Sequence, residues 1–238
     1  MIGRCALACL DMAGTTVRDD GAVEEAFATA LVAVGIHAGS PRREEADALV
    51  RATMGWSKAD VFASLLDEAD AARATAVFAG AYEATVAAGR VAEVPGAGAV
   101  LDHLRRHGVR VCLTTGFAPS TRDAVLEALG WRDQVDLALS PADAGRGRPA
   151  PDMILAAMAR LGIDDPAAVA VVGDTVSDLE SGTAAGAGAV IGVLSGAHDG
   201  ATLARAPHTA LIADIRALPA ELESGGTTAT KTALNAPI

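Results

Sequence analysis

The chain has 238 residues, 30 acidic against 19 basic, a net charge of −11 and a pI near 4.8. No basic run offsets that acidity, which argues against nucleic acid as a partner and leaves a small anionic substrate wherever basic residues converge. The mean hydropathy of +0.31 comes largely from alanine, and no stretch approaches the ~20 strongly apolar residues of a membrane span. Met1-Ile2-Gly3-Arg4 leads into the first apolar run without the features of a signal peptide. The expectation is a soluble cytoplasmic protein, with no membrane partner, long enough to bury a stable core.

The first predicted strand, residues 5–10, is a continuous apolar run that ends in the carboxylate of Asp11 and turns through Met12-Ala13-Gly14-Thr15-Thr16. Open α/β sheets bind their ligands at the carboxyl ends of strands. From about Asp20 to Val94 the pattern becomes helical, with amphipathic alanine-rich segments at 23–34, 42–53, 58–68 and 69–88 and turn signals at Gly35, Gly39-Ser40-Pro41 and Gly55. Pro95-Gly96-Ala97-Gly98 marks the return to the sheet. Predicted strands at 109–113, 136–139, 169–172 and 189–194 then alternate with helices at 121–129, 151–161 and 177–185. Such alternation predicts an α/β fold with a parallel sheet and helices on both faces. The expected organisation is a core of residues 1–18 and 95–223, an inserted helical cap of 19–94 over the carboxyl edge of the sheet, and a disordered tail, 224–238, rich in Gly, Thr and Ala.

Cys5, Cys9 and Cys112 fall in or beside predicted strands, where cysteine behaves as a small apolar residue. Four strand ends carry chemistry instead. Asp11 can attack phosphorus to form an aspartyl phosphate, or cap a helix. Val172-Gly173-Asp174 ends a second strand in a carboxylate, and Asp11 with Asp174 makes an oxygen cage suited to Mg²⁺. Asp178, one helical turn on, either orients Asp174 or a metal-bound water or serves as a first-turn acid favoured by the helix dipole. Thr114-Thr115-Gly116 ends a third strand in hydroxyls and free backbone N–H groups that suit a phosphate. In Gly145-Arg146-Gly147-Arg148-Pro149, Arg148 lies next to a helix start and is the better candidate to neutralise a phosphoryl group, with Arg146 a surface residue. The five histidines, His37, His103, His107, His198 and His208, lie outside these motifs and are expected in surface or loop roles.

In order and interval these four segments resemble the motifs of the haloacid dehalogenase superfamily, whose core is Rossmann-like. The resemblance is closest to the phosphonoacetaldehyde hydrolases, or phosphonatases, and their phosphonatase-like sister clade. Those proteins share Asp-x-Ala-Gly-Thr-Thr, Thr-Thr-Gly, an arginine at the third motif and Gly-Asp-Thr-Val-Ser-Asp, here residues 11–16, 114–116, Arg148 and 173–178. The resemblance implies Asp11 as nucleophile and metal ligand, the Ala13 carbonyl and Asp174 as further Mg²⁺ ligands, and Thr115, Gly116 and Arg148 on the phosphoryl group. Thr15, Asp178 and Met54 are implied as supporting residues, and symmetric dimerisation through the cap is implied only by the family.

Ala13 occupies the position at which the superfamily's phosphatases carry the aspartic acid that protonates the leaving oxygen, help worth about 10²- to 10⁴-fold. Phosphonatases instead condense a cap lysine with the substrate aldehyde, so that a carbon departs as an enamine. Lys58, in Met54-Gly55-Trp56-Ser57-Lys58, stands at that lysine's place. The resemblance therefore implies hydrolysis of phosphonoacetaldehyde or a related small phosphonate. Two positions depart from it: Val61 replaces a histidine that assists the proton transfers, and Phe117 replaces a tyrosine. A phosphomonoesterase that uses Lys58 only as a cation, and a non-catalytic binding or regulatory protein on the same scaffold, are the alternatives.

Overall fold

The structure, a computed structural model, describes residues 4–18 and 20–224. All but the first residue of the expected tail, together with residues 1–3, lies outside the described residues. In chain order the elements begin with β1 (Leu7–Asp11) and β2 (Val17–Arg18). Four helices follow, α1 (Ala22–Ala33), α2 (Pro41–Ala52), α3 (Lys58–Leu65) and α4 (Glu68–Ala87). Next come β3 (Ala92–Glu93), α5 (Ala97–Arg106), β4 (Arg110–Thr114), α6 (Pro119–Ala128), β5 (Leu137–Leu139), the single turn α7 (Pro141–Ala144) and α8 (Asp152–Leu161). The chain continues through β6 (Val169–Gly173), α9 (Val176–Ala184), β7 (Ala189–Val193), α10 (Gly200–Leu203), β8 (Ala210–Ile212) and α11 (Leu218–Ser224).

Six strands form one sheet in the order β5-β4-β1-β6-β7-β8, every neighbouring pair parallel. Because the side chains of a strand alternate between faces, Leu7 and Cys9 pack with Met153, Ile154 and Met158 of α8. Ala8 and Leu10 face the other way, into the cluster that holds Leu101 and Leu104 of α5. Burial on both faces explains why the strands read as continuous apolar runs rather than alternating ones. Cys9 and Cys112 are buried in this packing and Cys5 is half-buried, all as free thiols.

Strand β1 is the point at which the order reverses, with β4 and β5 on one side and β6, β7 and β8 on the other. A crevice outside the strand ends at such a reversal is the usual binding place in this architecture. The chain leaves the sheet through β2 and returns through β3, which pair antiparallel with Val17 opposite Glu93 and Arg18 opposite Ala92. Between them α1 packs on α4 and α3, with Phe27, Phe62 and Phe78 at the contact.

Some boundaries differ from expectation. Glu68 opens α4 rather than closing α3, because Leu66 is extended and the Asp67 carboxylate accepts from the Asp70 N–H at 2.9 Å, a capping bond that starts a new helix. The two-residue ribbon β2–β3, the edge strand β8 and the short α10 and α11 carried too little periodicity to be predicted, whereas α5 was missed although Ala97, Val100, Leu101 and Leu104 recur at helical spacing and are buried on one face. No helix among the described residues is long and apolar enough to cross a membrane.

Candidate active site

β1, β4 and β6 lie side by side, so the segments that follow them open on one crevice. Asp11 ends β1 in register with Thr114 of β4, and Asp174 follows the last residue of β6. Gly14 has φ 87°, and a Cβ there would run into the Asp174 carboxylate. The tight turn after β1 therefore requires glycine for its conformation and for its clearance. It also presents Thr15, whose hydroxyl donates to Asp174 at 3.3 Å. The second oxygen of Asp174 accepts from the Ala197 N–H at 2.6 Å.

Arg148 is buried between two carboxylates. Its Nη1 lies 2.7 Å from Asp11 and also pairs with Asp178. The other oxygen of Asp178 accepts from the Thr175 N–H at 3.1 Å and from the Thr175 hydroxyl at 2.5 Å, completing a reciprocal cap on α9. Asp178 thus holds Arg148 and starts a helix at once, while Asp174 is oriented by Thr15 and Ala197.

Oxygens of Asp11, Asp174 and Asp178 all lie within 4.8 Å of one another, and all three residues are buried. One guanidinium faces three carboxyls. Burial raises Asp11 well above the usual carboxylate range against the pull of Arg148, and repulsion from Asp178 and Asp174 adds to the rise. Burial and the neighbouring Asp178 push Asp174 up to about 6, against the stabilising Ala197 N–H. Burial alone would lower the pKa of Arg148, yet it is raised because Asp178 and Asp11 face it. An oxygen-only donor set with excess negative charge in a buried crevice fits a hard divalent cation such as Mg²⁺. Arg148 Nε and Nη2 are buried without a hydrogen-bond partner, and a planar fork with open donors suits a phosphoryl oxygen.

The segment before α3 closes the crevice from the helical side. The Met54 carbonyl accepts from the Ser177 hydroxyl at 3.1 Å, and the Lys58 N–H donates to the Gly116 carbonyl at 3.1 Å. A Cβ at Gly116 would collide with the Trp56 carbonyl, so this glycine admits the incoming backbone, a role its place in a phosphate-binding turn did not suggest. Lys58 is 8 % exposed, with Nζ within 6 Å of the ring centres of Phe27, Phe78 and Phe117.

Asp11, Ala13, Met54, Lys58, Thr115, Gly116, Arg148 and Asp174 line a single cleft of about 440 Å³, with Thr15 and Asp178 bonded to its walls. Thr115 Oγ1 also accepts from the Phe117 N–H at 3.2 Å, which sets the turn. Arg146 is exposed and paired with Asp152. Sequence reasoning missed Ser195, Gly196 and Ala197, which follow β7 and form one wall of the cleft. A run of small residues directly after an apolar strand was the available signal. His198 belongs to the same loop, and its Nδ1 accepts from the Val176 N–H at 3.0 Å at the start of α9. Val61, where the resemblance led to a histidine, is buried in the hydrophobic core.

The haloacid dehalogenase-like hydrolase family matches residues 5–186. Phosphonoacetaldehyde hydrolase of Bacteroides fragilis is 34 % identical over 133 residues, 55 % of this chain and 49 % of that protein. The chain therefore spans about half the length of that curated relative. The protein named Probable phosphatase IndB of Dickeya dadantii is 32 % identical over 198 residues, 81 % of this chain and 82 % of its own. In three dimensions a phosphonoacetaldehyde hydrolase like protein from Oleispira antarctica superimposes with a TM-score of 0.76 at 22 % identity, covering 94 % of this chain and 96 % of that one, a likeness of fold. With a parallel sheet whose strand ends gather the acids, the hydroxyl turn and the arginine, the chain belongs to the haloacid dehalogenase-like hydrolases.

Proposed function

We propose that the chain hydrolyses the carbon–phosphorus bond of phosphonoacetaldehyde or a closely related 2-oxoethylphosphonate. The observation that carries this reading is the pairing, in one cleft, of a buried Lys58 with an alanine at position 13. Two of the 19 basic residues are lysines, Lys58 and Lys231. A cation needed only for its charge is supplied by arginine nearly everywhere else in the chain, whereas only an amine condenses with a carbonyl.

In the proposed sequence Lys58 gives up a proton, its amine adds to the aldehyde, and the former carbonyl oxygen takes that proton and leaves as water, giving an iminium. An Asp11 carboxylate oxygen attacks phosphorus, the carbon–phosphorus electron pair moves to the iminium nitrogen, and an enamine and an aspartyl phosphate result. One water hydrolyses the acyl phosphate to phosphate and regenerates Asp11. The enamine takes up a proton and a second water releases the aldehyde and free Lys58, so that one water is consumed net. No oxygen leaves, and the missing acid at Ala13 costs nothing.

Arg148, with two open donors, orients the phosphoryl group, and Thr115 and Gly116 face it from the β4–α6 turn. Mg²⁺ held by Asp11, Asp174 and the Ala13 carbonyl would offset the excess negative charge and keep Asp11 ionised at neutral pH, which attack requires. On this reading residues 19–94 act as a cap carrying Lys58 to the core.

Borohydride added with phosphonoacetaldehyde should attach the reduced two-carbon unit to Lys58, and Lys58→Arg should abolish both the adduct and phosphate release. Asp11→Asn should cut phosphate release by at least about a thousandfold. Turnover of simple phosphate esters without any adduct on Lys58 would establish the phosphomonoesterase reading, which the phosphatase-named relative favours.

A further inference from the structure

The chain contains four phenylalanines and one tyrosine, and all five rings form one cluster. Phe27 lies 5.3 Å from Phe62 and 4.8 Å from Phe78 between ring centres. Phe78 is 6.3 Å from both Tyr82 and Phe117, and Tyr82 is 4.5 Å from Phe117. Lys58 Nζ is 5.3 Å from the centre of Phe27, 5.9 Å from Phe78 and 5.7 Å from Phe117. The negative face of an aromatic ring attracts a cation within about 6 Å. Hydrocarbon alone does the opposite, since burial disfavours an ammonium.

Phe27 and Phe78 come from α1 and α4, whereas Phe117 comes from the turn after β4. The three rings surround the nitrogen only when the helices lie against the strand ends, where the Thr121 hydroxyl of α6 donates to Glu83 of α4 at 2.9 Å. Val61 and Phe117 also place hydrocarbon and a ring face where polar side chains were expected.

We infer that Phe27, Phe78 and Phe117 are positioning residues, a three-ring box that fixes the Lys58 nitrogen and stabilises its positively charged forms, with Phe117 completing the box on closure. For the ammonium of the free protein this stands by itself, and for the iminium it rests on the carbon–phosphorus reading. A box of this kind favours the ammonium and, once the amine has given up a proton and added to the aldehyde, lowers the cost of the charge that the iminium must carry before the carbon–phosphorus bond breaks.

The composition makes the test clean. Replacing every phenylalanine biosynthetically with mono-, di- or trifluorophenylalanine alters only this cluster, because no other phenylalanine exists. Each fluorine drains the ring face with little change of shape. Isotope-labelled lysine gives only two side-chain signals, and Lys231→Arg assigns Lys58. The charged groups sharing its two cavities are Asp11, Arg148 and Asp174 at the strand ends, Arg18, Asp20 and Glu24 at the mouth, and Asp60 on its own helix. They are the same throughout the series, so a stepwise shift reports the rings.

The Lys58 titration midpoint should fall with each added fluorine, several-fold in ionisation constant by the trifluoro protein. Phe117→Leu should lower it and Phe117→Tyr, which keeps a ring, should restore it. An unchanged or rising midpoint in a trifluoro protein that melts like the unlabelled one overturns the box. At a pH above every midpoint, the fraction of Lys58 trapped by borohydride with phosphonoacetaldehyde should fall along the same series. A trapped fraction independent of fluorine overturns the role in the iminium. Absence of trapping in the unlabelled protein removes the carbon–phosphorus reading and its iminium, and leaves the ammonium box to be decided by the titration.

Discussion

At the scale of single residues, the charge imbalance around Asp174 has a measurable consequence. Its carboxyl titrates near 6 in the folded chain against an ordinary value of 3.8. Between those values the folded state keeps a proton that the unfolded state has lost, so this group makes stability fall as pH rises. The penalty is absent below the ordinary value and complete above the raised one, and Asp11 acts in the same direction. In chelator, the melting temperature should therefore drop from about pH 5 to about pH 7, and Mg²⁺ should raise it more at the higher pH, where Asp174 has given up its proton. A melting temperature that climbs across that range, or an equal metal effect at both pH values, would remove the buried acid pair as the cause. Asp11, Asp174 and Arg148 were legible in sequence because each follows or flanks a recognisable strand or helix start. The bond from the Ala197 N–H to Asp174 was not, since a backbone donor leaves no trace in residue identity.

At the scale of elements, α9 couples helix stability to the site. Thr175 caps the helix and binds the same carboxylate that holds Arg148. Thr175→Ala should cost about 1–2 kcal/mol in denaturant unfolding, and should also lower turnover, because Asp178 is then free to turn from Arg148. A stability loss with full activity would separate the two roles. Helices α4 and α6 are joined by Thr121 and Glu83. Thr121→Val removes that bond at a cost of about 0.5–1.5 kcal/mol, and its larger effect is expected on KM, through easier opening of the helices. The helical periodicity of 20–94 was clear in the sequence, as was the alternation that follows it. The break between α3 and α4 was misplaced because Asp67, its cap, reads like any other residue of an alanine- and acid-rich helix. Edge strand β8 escaped notice because it is half-buried and three residues long.

At the scale of the whole molecule, the helical segment meets the sheet through backbone as much as through side chains. The Lys58 N–H donates to Gly116 and the Met54 carbonyl accepts from Ser177, so ordering the crevice should protect amides on both sides of it. With Mg²⁺ and a phosphate mimic such as vanadate, amide exchange should slow at Lys58 and Ala197 together. Protection at Ala197 alone would mean that the helices do not close over the ligand.

Sequence alone determined the parallel sheet, the helical insertion and the positions of the acids, because these depend on local periodicity and on residues adjacent to strand ends. Only the tertiary structure decided that Arg148 bridges Asp11 and Asp178, that Gly116 makes way for the Trp56 carbonyl, and that three of the chain's four phenylalanines converge on Lys58. Those contacts join residues far apart in the chain, and packing rather than local pattern selects them.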